Sequence, residues 1–408
     1  MKTNYRKKIV NVLQYLLVIF IILSSETIWE KMPNKSLRDH FSIIAYGGVS
    51  LLLFLLISLG RKKIKNNFSI SVFGAILYLI ILVIVNLLIY KINLALLFTI
   101  PTALMILYFS FNLGELSSVM EKTYNIIYII ALTSLIIFIP YVLLGILDAP
   151  TLFPFLRNNW TQYAPSFYIY SYPQGNRNCA FFYEAPKYNV ILTLALAYSC
   201  YIKKECLTFK NIIIFCTILS AQSVTGILLS IFIIVTKAIF ESDHYKIGKN
   251  NIILILSPII LIIALIASAN IFSEKITSGS GIERLLDCAI GFAAWKENIV
   301  WGAGIGNNST IDSVALSYGR VFLGFSNGIF RILAQGGIYL FLFFLVPFLK
   351  LVRLGFKQKR PYILFYAFVF LAMIFTTSFS NTMIYALHIV FFSLFEKSKT
   401  INQRPIYG

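Results

Sequence analysis

Stretches of nearly unbroken apolar residues recur from one end of the chain to the other, divided by short polar or charged segments. Each comes close to the ~20 residues that carry an α-helix across ~30 Å of hydrocarbon. The pattern predicts twelve spans, at about 9–24, 41–59, 68–89, 92–111, 125–147, 179–201, 209–221, 224–240, 251–271, 327–349, 362–379 and 382–395. The run over 209–240 divides in two because Gly226 and the polar cluster Gln222, Ser223 and Thr225 interrupt it. Two connections are too long to be turns: one at about 148–178, rich in Pro and Tyr, and one at about 272–326, rich in Gly, Ser and Asn. Long connections in a compact protein usually carry function. The second contains SGSGIERLLDCAIGFAAWKENI, whose 3.6-residue period predicts an amphipathic helix. Ser280 and Glu283 form a capping box, and Ile282, Leu285, Leu286, Ala289, Ile290 and Ala293 make its apolar stripe. Such a helix is expected to lie on the membrane surface with Arg284 at headgroup depth. The expected fold class is therefore all-α, a single polytopic helix bundle of about twelve transmembrane spans over residues 1–408.

Composition sharpens this picture. With 58% hydrophobic and only 12% charged residues, the chain has too little polar surface to cover a water-soluble core. The basic start and apolar core of the first 25 residues look like a secretory signal, but no small-residue cleavage site follows and SSETIWEKM is polar and bulky. Five cysteines without CxxC spacing argue against a metal cluster or redox pair. A net charge of +19 would point to nucleic acid in a soluble protein; here it reports orientation. If both termini are cytoplasmic, 23 of the 35 Lys and Arg lie on that side, with Lys210 and Lys237 at span ends counted there, together with six of the 16 acidic residues. The split is +17 inside against +2 outside, as the positive-inside rule expects. RKKIK at 61–65 and KLVRLGFKQKR at 350–360 carry most of it, beside anionic lipid.

Charges in or beside hydrocarbon cost roughly 2.5–3.5 kcal/mol each, so those that remain are functional candidates. At the outer mouth of the sixth span, QGNRNCAFFYEAPKYNV brings Arg177, Glu184 and Lys187 together. Glu184 and Lys187 share a helix face if Pro186 occupies the first turn, where the alternative is a local ion pair. Arg284 and Asp287 lie off the amphipathic stripe, with their mutual pairing as the plain alternative. Asn327 and Arg331, one turn apart, can face a polar cavity, or Arg331 can snorkel. GAGIGNN at 302–308 lacks the strand–helix setting of a dinucleotide fingerprint; its glycines allow tight turns near an anion or another helix. His388 reads as a core residue, and the aromatics of TQYAPSFYIYSYP as a sugar-stacking surface or an interfacial belt. Arg177, Arg284, Arg320 and Arg331 form an outer set of guanidiniums with few carboxylates nearby, suited to a pyrophosphate. Cys179 and Cys288 follow two of these arginines, and a disulfide between them is possible if the arginines converge.

Four segments in order resemble the O-antigen polymerase and O-antigen ligase superfamily: NRNCAFFYEAPKYNVILTLALA, LSAQSVTGILLSIFII, ERLLDCAIGFAAWKENIVWGAGIGN and SNGIFRILAQGGIYLFLFF. They cover about 177–345; the remainder agrees only in span number. The resemblance implies a glycosyltransferase of the bacterial cytoplasmic membrane that uses undecaprenyl-pyrophosphate-linked glycans and needs no metal or cofactor. It implies that Arg177 and Arg284 engage pyrophosphates of donor and acceptor. Lys187, Asp287, Arg320, Asn327 and Arg331 are read as binding residues from their charge or polarity near the outer mouth. Ligases of this family typically carry a histidine just before the asparagine matching Asn327, where this chain has Ser326. That departure leaves Glu184 as the expected general base, with Asp287 and Glu283 as alternatives. The expected function is a polymerase for O-antigen, capsule or exopolysaccharide, acting with a flippase and a chain-length regulator. A ligase is the alternative within the enzyme class. A flippase for the same lipids would instead place polar residues and helix breaks near the midplane.

Overall fold

A computed structural model of the protein describes residues 2–31, 34–60, 70–90, 94–140, 144, 162–163, 171–172, 177–241, 280–320, 324–378 and 382–402. Thirteen α-helices account for nearly all of them: α1 (Lys2–Leu23), α2 (Lys35–Gly60), α3 (Ile70–Ile89), α4 (Thr99–Phe111), α5 (Leu113–Phe138), α6 (Ala185–Ala197), α7 (Phe209–Ser220), α8 (Val224–Glu241), α9 (Ser280–Glu297), α10 (Ser309–Ser317), α11 (Gly328–Lys357), α12 (Pro361–Thr376) and α13 (Met383–Asn402). The strands among the described residues are a two-residue antiparallel pair, β1 (Gln162–Tyr163) with β2 (Ser171–Tyr172). Among the described residues, five helical stretches are long and apolar enough to cross a membrane: Lys35–Gly60, Ser71–Ile89, Leu94–Phe111, Leu113–Phe138 and Gly328–Lys357.

Local chemistry sets the helix ends. Pro186 and Pro361 open α6 and α12, where a missing N–H costs nothing. Thr208 caps α7 by accepting from the Asn211 N–H at 3.3 Å, and Asn327 caps α11 through Phe330 at 3.0 Å. Every residue of α6 except Pro186 is buried, so this helix is the axis of the bundle, packed by α5, α7, α8 and α12. Its hydrophobicity runs all round, as a wholly buried helix requires.

Eleven of the twelve predicted spans fall on helices, and the stretch at 251–271 lies outside the described residues. Two boundaries differ for a physical reason. The helix predicted from about 125 begins at Leu113, and the polar residues read there as a loop are part of α5. Lys122 is buried in it, donating to Gln14 Oε1 of α1 at 2.7 Å and to Ser118 Oγ at 2.6 Å, while Gln14 Nε2 donates to Glu115 at 3.1 Å. The span predicted from 179 becomes helical only at Ala185. Residues before it form an antiparallel bridge with the segment that follows α1: Ile28 N–H donates to Phe181 O at 3.0 Å and Tyr183 N–H to Glu26 O at 3.2 Å.

Helix α11 breaks at Gly337, whose φ of 61° and ψ of −165° leave the helical region. The glycine-rich loop of 302–306 docks on that break: Ala303 N–H donates to Ala334 O at 2.8 Å and Gly304 N–H to Gln335 O at 2.9 Å. A Cβ at Gly337 would stand 2.1 Å from Val300 O, so only glycine fits. From α3, Asn86 Oδ1 accepts from Ile305 N–H at 2.8 Å and Tyr90 OH donates to Gly302 O at 2.5 Å. The helix expected as one partner of these glycines is thus engaged.

Candidate functional site

At one end of the bundle, α6, α9 and α11 enclose a polar cavity of about 380 Å³. Its walls include Glu26, Glu184, Lys187, Glu283, Arg284, Asp287, Arg320 and Arg331, drawn from segments up to 305 residues apart in sequence. Six of the eight site residues predicted from sequence thus converge; Arg177 and Asn327 do not line the cavity.

The extended pairing of 26–28 with 181–183 carries Glu26 to the N-terminal turn of α6. There the Lys187 ammonium lies 3.2 Å from Glu26 Oε2 and also donates to the Ser378 carbonyl. The local Glu184–Lys187 ion pair therefore does not form, and Lys187 belongs to Glu26. Glu26 was not singled out in the sequence: it follows an apolar run and reads as a span boundary. Its backbone φ of 55° marks the turn that aims it inward.

Asp287 is 1% exposed and accepts from Arg320 Nη1, from the Ser326 N–H at 2.8 Å and from Ser326 Oγ at 2.6 Å. This takes the place of the alternative pairing with Arg284 and ties Arg320 and Ser326 to α9. The inner face of α9 is Leu286, Asp287, Ile290 and Ala294, whereas Leu285, Ala289 and Phe292 of its outer side are exposed. The stripe expected from sequence is thus divided, Ile290 facing protein and Leu285 facing away. With these donors the carboxylate fastens Arg320 and Ser326 to α9.

Two guanidiniums keep capacity for an anion. Arg331 donates from Nη2 to Phe325 O at 3.3 Å, lies over the Phe325 ring, and leaves Nε buried without a hydrogen-bond partner. Arg284, exposed on α9, makes one hydrogen bond among the described residues, from Nη1 to Thr225 Oγ1 at 3.3 Å. Opposite them stands Glu184, whose carboxylate takes no hydrogen bond or ion pair among the described residues and acts on Arg331 only through space. The expectation of few carboxylates is corrected: four line the cavity with four cations. Pairing neutralises Lys187 and Arg320, and Arg284 and Arg331 remain facing Glu184 and Glu283.

Arg177 takes a different place. Its Nη2 donates to the Gln222 carbonyl at 2.8 Å, so it and Arg284 grip the same 222–225 turn from separate positions. Burial lowers the Arg177 pKa from its ordinary value, with Glu184 among the groups opposing the shift. Asn327 is used as the α11 cap, and its Nδ2 also donates to Cys288 Sγ at 3.4 Å. Cys179 and Cys288 are free thiols, so the disulfide does not form. His388 is 3% exposed, with Nδ1 2.8 Å from Ile384 O, in the core position expected of it. Most of the aromatic 161–173 stretch lies outside the described residues.

No family model, curated protein or solved structure matches this chain.

Proposed function

We propose that the cavity binds the pyrophosphate of a lipid-linked glycan and that the chain is a polysaccharide polymerase of the bacterial cytoplasmic membrane. In this reading the protein crosses the membrane about twelve times with both termini cytoplasmic, and the cavity opens at the outer face. The observation that carries it is the gathering of Arg284 and Arg331, neither in an ion pair among the described residues, around a Glu184 carboxylate likewise unengaged among them. Guanidiniums present planar donors to phosphate oxygens, and the side chains of Arg284 and Arg331 both line the cavity.

The chemistry follows from those groups. A sugar hydroxyl of the acceptor attacks the anomeric carbon of the donor glycan, forming the new C–O bond as the bond to the lipid pyrophosphate breaks. Glu184 takes the hydroxyl proton. The pyrophosphate leaves with the bonding electron pair, and Arg284 and Arg331 stabilise its added charge. Charge stabilisation is thereby assigned to side chains, without a metal or cofactor. Arg177 acts as a positioning residue, holding the turn that presents Thr225 to Arg284. Ser326, in the place of the histidine of the ligases this chain resembles, is committed to Asp287, which favours polymerase over ligase.

Deletion of the gene tests this reading against its alternatives. A polymerase predicts single repeat units on undecaprenyl pyrophosphate, or one unit on the final acceptor, with longer chains absent. Long lipid-linked chains that never reach the final acceptor would identify a ligase, and units trapped on the cytoplasmic face would identify a flippase.

A further inference from the structure

A second, larger cleft of about 840 Å³ lies between α3, α4, α11 and α13, away from the polar cavity. The two share α11 but not its residues: the cavity uses Arg331 at its start, whereas the cleft uses residues from Leu342 to Lys350. Val346 is fifteen residues past Arg331 and beyond the break at Gly337, so the two sites lie on separate segments of α11. The cleft wall is hydrocarbon, with Val346 58% and Leu342 38% exposed to it or to the surroundings. Its polar groups are Ser71, Tyr78, Ser110, Ser393 and Lys350, and no acidic residue lines it among the described residues.

These features select an occupant. In a bilayer, an apolar cleft of this size is filled by lipid chain, because water in it would wet hydrocarbon at ~25 cal/mol per Å². The mouth has one charge sign. Lys350 is exposed, donates to Ser393 O at 2.5 Å, and begins KLVRLGFKQKR, which contains five basic and no acidic residues. RKKIK precedes the helix that carries Ser71. We infer that this cleft is a binding site for an anionic phospholipid, its acyl chain between α3 and α11 and its headgroup at Lys350. The inference rests on the reading of the chain as membrane-spanning with that end cytoplasmic, and is independent of the polymerase chemistry.

The test uses the full chain, extracted in mild detergent from membranes containing phosphatidylglycerol, with bound lipid quantified by mass spectrometry. One lysine beside the headgroup gives about fivefold enrichment of phosphatidylglycerol over its share of the bulk membrane. Lys350→Gln should remove most of that preference while lipid is still retained. Val346→Trp should lower retention of all headgroup classes by filling the cleft. Gly74→Leu fills it from the opposite wall, where a Cβ meets nothing within 4 Å, so a folding defect in the first variant does not decide the outcome. Lipid in bulk proportions on the wild type, or retention unchanged by both filling variants, overturns the proposal; the second result is also expected if another segment of the chain occupies the cleft. A chain recovered without detergent from the soluble fraction overturns the membrane reading as well.

Discussion

At the scale of the residue, the site depends on which charges are already paired. Lys187 and Arg320 have carboxylate partners, so they shape the cavity, and Arg331 lines it with a hydrogen bond to Phe325 O and no ion pair among the described residues. Replacing Arg331 with Ala is expected to weaken binding of a polyprenyl pyrophosphate in detergent by about tenfold or more, the cost of a lost charge-assisted hydrogen bond. Arg331→Lys should restore little, because an ammonium lacks the planar fork. Binding unchanged in a folded Arg331→Ala protein would remove that residue from the site. The sequence made the charged residues conspicuous, since charge next to an apolar run is uncommon, but it hid their pairing. Glu26 and Lys187 are 161 positions apart and meet through an extended backbone contact that no helical or strand period signals. Likewise, nothing in the spacing of Arg284 and Asp287 reveals that Arg320 reaches the carboxylate from beyond α10.

The helical elements were more legible, because span length and apolar period are local properties. Where they failed, tertiary contacts stabilised polar helix: α5 runs through Glu115, Glu121 and Lys122 because Gln14 of α1 and Ser118 satisfy the buried lysine. The short helix α10 was read as part of a long loop, its nine residues giving too little period to distinguish. Element packing also yields a prediction at the break in α11. Gly337→Ala must place a Cβ against Val300 O at positive φ, and is expected to cost about 2 kcal/mol or more. The cost should appear as a lower thermal midpoint of the detergent-solubilised protein. Gly47→Ala, in open space on α2, serves as the control with little change. Equal midpoints for the two variants would mean that the loop does not rest on the break.

For the whole molecule, the arrangement separates two kinds of polar surface. The cavity gathers residues from segments read as outer, whereas Lys203 pairs with Glu121 at 3.3 Å and Glu205 at 3.0 Å among segments read as cytoplasmic. Reporter fusions after residues 160 and 300 should therefore be extracytoplasmic, and those after 63 and 356 cytoplasmic. Reversal of either pair would place the cavity on the side where lipid-linked units are made rather than joined.

The most direct test of the central claim is elongation by the purified full chain in liposomes supplied with a polyprenyl-pyrophosphate-linked repeat unit, read as product length on a gel. The wild-type protein should produce a ladder of longer lipid-linked chains, with or without a chelator. Glu184→Gln should bind the same lipid yet elongate it about a hundredfold more slowly, the loss expected of a general base. A ladder formed equally well by folded Glu184→Gln protein would contradict the role given to that carboxylate, and single units left unjoined by folded wild-type protein would contradict the polymerase itself.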